Sequence, residues 1–191
     1  MLPVFAGRKV HVSRNLTISV MHQSDAIDRG IDIASRMLAE SNSYNTRELV
    51  ICGRGVITPE LITYTGLTHL NFFVLMKADD VMGLIHKLPH LICLRVDWLT
   101  VADTQTDFSI PECAEHEPVP QLDTQIKRLM LLRLNRGELP ELAVSILKYL
   151  LLRIPTLKFV TALFAREEPI QAFINEYVQW YPHLANIKFT M

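Results

Sequence analysis

Apolar positions along this chain switch repeatedly between a spacing of three or four residues and a spacing of two. The switch is sharpest in one phrase that occurs three times: Leu88-Pro89-His90-Leu91-Ile92-Cys93-Leu94-Arg95-Val96, Ile154-Pro155-Thr156-Leu157-Lys158-Phe159-Val160-Thr161-Ala162 and Tyr181-Pro182-His183-Leu184-Ala185-Asn186-Ile187-Lys188-Phe189. Each copy is an apolar residue, a proline, one free position, then apolar residues three and two apart. Helical spacing precedes each copy. Ile170, Phe173, Ile174, Tyr177, Trp180 and Tyr181 share a helical face before Pro182, with Pro169 placed as the first helical residue. Leu142, Ile146, Tyr149, Leu150 and Ile154 do so before Pro155, with Pro140 near the start. A shorter helix is predicted from about Asp79 to Lys87, where Val81, Leu84, Ile85 and Leu88 are apolar and two aspartates occupy the positive first turn. Proline stops each helix because it cannot donate the helical hydrogen bond and drives its predecessor toward extended geometry. The alternation that follows is that of a strand.

Weaker strands of the same kind are predicted at Leu67 to Phe72 and Ile126 to Leu131, and less complete ones at Thr46 to Ile51 and Ser13 to Ile18. Equivalent core positions are then Leu16, Leu49, Leu70, Leu94, Leu129, Val160 and Ile187, at unequal steps. An amphipathic helix with Ile27, Ile31, Ala34 and Leu38 on one face lies between the first two, and a short helix is expected at Pro59, capped by Thr58. Recurrence of a helix-and-strand unit implies stacked repeats. A compact three-layer α/β domain is the alternative, since βα alternation alone does not distinguish closure from stacking.

The Leu-x-x-Leu-x-Leu cores resemble leucine-rich repeats, particularly the irregular, long-helix kind of ribonuclease-inhibitor-like and F-box-associated proteins, over nearly the whole chain. The asparagine usual in that family is replaced by Leu75, Leu99 and Leu134, and no F-box segment is recognisable. The resemblance implies an α/β fold, an irregular leucine-rich-repeat-like solenoid spanning residues 1–191 in about six or seven units. It implies a parallel sheet on the concave side and helices on the convex side. For function, it implies a protein-binding scaffold, in F-box-associated relatives the substrate-recognition part of a ubiquitin ligase.

On such a sheet the residues between the core leucines line the concave face. Strands about 4.8 Å apart spread seven of them over roughly 29 Å, room for a standard interface of about 800 Å² per partner. The middle of that face is apolar and aromatic (Phe73, Met130, Leu132, Phe159, Leu163) with Arg95, Asp97 and Arg128 among it. Aromatic, methionine and arginine enrichment marks interface centres, which makes these eight the expected partner-binding residues. Two other readings stand beside this one: the patch is covered by the chain's own loop, or its residues are ordinary core. The loop in question, Leu99 to Gln121, holds Pro111, Pro118 and Pro120 and the acids Asp103, Asp107, Glu112, Glu115 and Glu117, with no lysine or arginine. Its Phe108 and Ile110 are the residues that would insert.

Composition narrows the partners. Net charge is −1 with 49% apolar and 20% charged residues, so the global basic field that draws proteins to nucleic acid or anionic membrane is absent. The segment Ile146 to Ile154 carries Lys148 and Arg153 and is far short of a membrane span, and the N-terminus has no basic region followed by an apolar stretch. Cys52, Cys93 and Cys113 have neither paired nor metal-type spacing, which suits a reducing compartment, and a soluble protein of the cytoplasm or nucleus is expected. Cofactor motifs are lacking: there is no phosphate loop, nucleophile elbow or H-E-x-x-H, and Gly53-Arg54-Gly55 is expected in a turn. His86 and His90 are four apart, but Pro89 breaks the helix between them, and no metal or cofactor is expected there or at Cys113 and His116. A small α/β enzyme using His69, Cys93 or Asp97 at the strand ends is the functional alternative. Met191 follows directly on the last strand, so either the chain is a piece of a longer array or its uncapped edge associates end to end.

Overall fold

The computed structural model describes residues 15–20, 47–56, 62, 66–102, 104–110, 119–135 and 140–191. Over them the chain is a mixed α/β structure on one seven-stranded sheet, with every strand pair parallel and the strands in chain order. The strands are β1 (Asn15–Val20), β2 (Glu48–Val56), β3 (His69–Lys77), β4 (Cys93–Thr100), β5 (Arg128–Leu134), β6 (Phe159–Thr161) and β7 (Lys188–Thr190). Helix α1 (Ala78–Lys87) joins β3 to β4, α2 (Pro140–Arg153) precedes β6, and α3 (Glu167–Tyr177) is followed by a 3₁₀ turn (Pro182–Asn186) into β7. Helix α3 starts two residues before the expected Pro169. The helices expected at Ile27 to Leu38 and at Pro59 lie outside the described residues.

All three copies of the repeated phrase fold alike. The apolar residue before proline closes its helix: the N–H groups of Leu88, Ile154 and Tyr181 donate to the carbonyls of Leu84 (3.0 Å), Leu150 (3.0 Å) and Tyr177 (3.0 Å). Three residues further the chain turns once more, the N–H groups of Leu91, Leu157 and Leu184 donating to the carbonyls of Leu88 (3.1 Å), Ile154 (3.3 Å) and Tyr181 (3.0 Å). The free position ties a turn to the preceding unit. Thr156 Oγ1 donates to the Ile126 carbonyl at 2.7 Å, and His183 Nε2 to the Leu151 carbonyl at 2.9 Å.

β3, β4, β5 and β6 each start at a fixed register, because two successive N–H groups converge on the carbonyl just ahead of the preceding strand. Thr68 and His69 donate to Arg47, Ile92 and Cys93 to Thr68, Lys127 and Arg128 to Ile92, and Lys158 and Phe159 to Lys127, all at 2.8–3.1 Å. The expected core positions Leu16, Leu49, Leu70, Leu94, Leu129 and Val160 accordingly fall on one row. The seventh does not: Val160 faces Phe189, two residues beyond Ile187. In the third copy the turn continues as 3₁₀ through Asn186, with Ile187 N–H on the Leu184 carbonyl, so the strand starts later.

Inward side chains are aliphatic and nearly fully buried, among them Leu49, Leu70, Phe72, Leu94 and Leu129, each 0% exposed. The apolar faces of the three helices join them in a single cluster, so the helices cover one face of the sheet. Full burial of one such side chain stabilises by about 1.5–3 kcal/mol before conformational entropy is counted. No helix of the described residues is long and apolar enough to cross a membrane.

Between β4 and β5 the described residues form no helix or strand and are pinned on the helical side. Phe108 is buried edge-on against Tyr149 of α2, centroids 5.2 Å apart, and Ile110 packs on the core. Beyond residues 111–118, Val119 N–H donates to Tyr181 Oη (2.8 Å), Arg153 Nε to the Pro120 carbonyl (2.8 Å), and Leu122 N–H to the Arg153 carbonyl (2.7 Å). The loop's two apolar residues therefore enter the helical layer and leave the other face of the sheet bare of them.

Asp79, in the first turn of α1, fastens the same loop. Its carboxylate accepts the N–H groups of Gln105 (2.7 Å) and Thr106 (2.9 Å). Burial pushes its pKa up, but the hydrogen bonds from Thr106 and Gln105, with Lys77 nearby, outweigh burial and hold it below its ordinary value. A depressed folded pKa adds stability above the unfolded carboxyl range, near pH ~3.9, that is lost as pH falls through the folded value. Asp79→Asn is expected to lower stability by about 1 kcal/mol at neutral pH, a deficit that shrinks in acid. Urea unfolding of both proteins at neutral and acid pH measures it; an equal deficit at every pH would contradict the assignment.

Candidate functional site

The face away from the helices is built from alternate residues of successive strands, and the register sorts them into rows. One row runs Glu48, His69, Cys93, Arg128, Phe159, Lys188, and the next Val50, Asn71, Arg95, Met130, Thr161, Thr190. All of these are half-buried or exposed. A protein interior is not arranged like this, so the reading of these residues as ordinary core is set aside. Of the eight residues expected from sequence, Phe73, Arg95, Asp97, Arg128, Met130, Leu132 and Phe159 stand in strands on this face. Leu163 lies beyond the end of β6 in a tight turn closed by Ala165 N–H on the Ala162 carbonyl (3.1 Å), and is 53% exposed.

Rings and cations on this face are paired across strands. The Arg95 guanidinium lies 4.5 Å from the Phe73 ring centroid, and its Nε donates to Asp97 Oδ1 at 2.9 Å. Arg128 and Lys188 reach the Phe159 ring from the two neighbouring strands, at 5.3 and 5.9 Å. Contacts of this kind are worth about 0.5–1 kcal/mol where exposed and more when a partner removes water. Toward β2 the face is polar and self-satisfied: Asn71 Nδ2 donates to Glu48 Oε1 at 2.8 Å.

Strict alternation misses one pair. β3 carries one residue more than β4 between the paired positions Phe72–Val96 and Leu75–Trp98, and beside this bulge Trp98 turns outward directly after Asp97. Trp98 is 36% exposed, and Arg133, its register neighbour, lies over its ring at 5.3 Å. Core leucines spaced three apart at Val96–Leu99 and Leu131–Leu134, where a regular strand gives two, are the sequence signal for the outward shift. Pairing of β2 with β3 likewise skips from Cys52 to Val56, so Gly53-Arg54-Gly55 belongs to an irregular strand and not to a turn.

The groups named for chemistry are dispersed or occupied. His86 Nδ1 is 2.8 Å from the Met82 carbonyl within α1, His90 is exposed in the following turn, and Cys93 belongs to the open face. Cys113 and His116 lie outside the described residues, among which no three metal-ligating side chains cluster. His69 and Cys93 are register neighbours, with Thr68 Oγ1 2.9 Å from His69 Nδ1, while Asp97 is held by Arg95. Burial raises the Cys93 thiol pKa; Arg128 and Arg95 oppose the rise and Glu48 adds to it. Two cavities of about 520 Å³ are lined elsewhere, one by Lys127, Lys158 and His183 at the strand starts, the other between Phe108 and Leu142.

A protein with Cys52→Ser and Cys113→Ser, leaving Cys93 alone, is expected to react slowly with iodoacetamide at neutral pH. The rate should rise with pH through a midpoint above that of N-acetylcysteine measured alongside. A midpoint at or below the reference would show an activated thiol and contradict the burial argument. No protein-family model matches the chain, and no curated protein or solved structure matches it.

Proposed function

We propose that this chain is a non-catalytic binding scaffold of the leucine-rich-repeat kind, stacking its helix-and-strand units into a solenoid and holding a protein partner on the open face of the sheet. Strands in chain order, a Pro turn closed by the same two hydrogen bonds in three units and a shared row of core leucines support the repeat reading. One observation carries the binding reading. A face that water alone covered would be expected to be polar, yet the centre of this one holds Phe73, Trp98, Met130, Leu132 and Phe159, with arginines over three of the rings. Rigid aromatic anchors steadied by arginine are what a partner's apolar side chains bury against. The F-box-associated resemblance supports the narrower role of substrate recognition for ubiquitination, and the binding reading stands without it. The enzyme alternative has less support: Cys93 sits where burial favours the inert thiol, and Asp97 is engaged by Arg95.

The test is affinity capture from native lysate with wild type, Arg95→Glu/Phe159→Ala on the open face, and Glu168→Lys on exposed helix α3, all matched by circular dichroism. A partner retained by wild type and by Glu168→Lys but lost with the double variant is the expected result. Equal retention by all three would refute the assignment.

A further inference from the structure

Charge on the open face is unevenly placed. Between β2 and β4 two charged groups of the open face have local partners: Glu48 accepts from Asn71, and Arg95 is paired with Asp97. From β5 to β7 there are only cations. Arg128, Arg133 and Lys188 point outward, and the three strands contain no aspartate or glutamate. Among the described residues no carboxylate lies within ion-pair distance of these three. Lys127 and Lys158, exposed just before β5 and β6, line the separate cavity beside His183 at the strand starts. Arg128 and Lys188 thus flank Phe159, which remains 41% exposed, on a protein whose net charge is −1. Like charges brought together without counter-charges repel, and a partner of opposite sign relieves that cost.

On the reading that this face binds protein, we infer that the β5–β7 half is the docking site for an acidic segment of the partner, carboxylates meeting Arg128 and Lys188 and an apolar residue seated on Met130 and Leu132 beside them. The alternative polyanion, single-stranded nucleic acid, fits less well. It would need a ring face free for base stacking, whereas cations from both neighbouring strands reach the Phe159 ring. Apolar Met130 and Leu132 beside the cations suit a peptide with mixed side chains.

The probe is a fluorescein-labelled peptide with a central leucine pair flanked by glutamates, read by fluorescence anisotropy at low and physiological salt. Two analogues carry glutamine or lysine in place of glutamate, and an oligothymidine serves as the nucleic-acid competitor. Wild type is expected to bind the glutamate peptide at least about tenfold more tightly than the glutamine analogue, with affinity falling as salt rises. Arg128→Glu/Lys188→Glu should lose the glutamate peptide and gain the lysine analogue, a swap that a merely damaged fold would not produce. If that variant does not fold, the milder Arg128→Gln/Lys188→Gln is expected to weaken glutamate-peptide binding in the same direction. Equal binding of glutamate and glutamine peptides, tighter binding of oligothymidine, or no binding of any peptide would each overturn the acidic-segment proposal. The lysate capture with Arg95→Glu/Phe159→Ala judges the protein-binding reading separately, so either can fail without the other.

Discussion

Everything on the open face depends on where each strand begins. Before β4 and β6 the turn after a helix fixes that point: proline ends the helix, the leucine three residues after the capping residue closes one further turn, and two consecutive amides then land on the carbonyl just ahead of the preceding strand. A parallel strand displaced by one residue would exchange its inward and outward sets, burying arginine and exposing leucine. The paired amides ahead of β3, β4, β5 and β6 prevent this. The resulting register places a leucine or valine on the core row in β2 to β6 and an arginine, phenylalanine or lysine on the outer row in β5 to β7.

The two faces of the sheet are held by different forces. Inside, aliphatic burial against the three helices is non-directional and supplies most of the stabilisation. Outside, the pairs Arg95–Phe73, Arg128–Phe159 and Arg133–Trp98 add little stability while the face is wet, but they fix long side chains in place. Ordering done in advance is conformational entropy that a partner need not supply on binding. The loop between β4 and β5 contributes by staying away: Asp79 and Tyr149 draw its described residues toward the helices.

Much of the strand and helix order was legible from spacing alone, because Leu70, Leu94, Leu129 and Val160 recur in a fixed relation to proline or to a helix end. Seven of the eight residues expected at the site followed from the same alternation. Trp98 and Arg133 did not, since β4 and β5 each turn two successive residues outward there, next to the shift in β3–β4 pairing, and alternation assumes a regular ladder. The last strand slipped by two residues because the 3₁₀ turn runs on through Asn186, where the equivalent Cys93 and Phe159 already start their strands. Partner chemistry was hidden for a different reason. The overall charge of −1 conceals a corner made only of cations, and composition cannot show which charges the register brings together.

The central claim is that the aromatic and cationic face is open to solvent in the full chain. Trp180→Phe leaves Trp98 as the sole tryptophan, and its emission and quenching read that face directly. With Arg133 over the indole, iodide should quench Trp98 more strongly than caesium does, and emission should lie toward the red, as for a water-exposed ring. A blue-shifted emission resistant to both ions would mean the face is covered, and the account of it as a binding surface would fall.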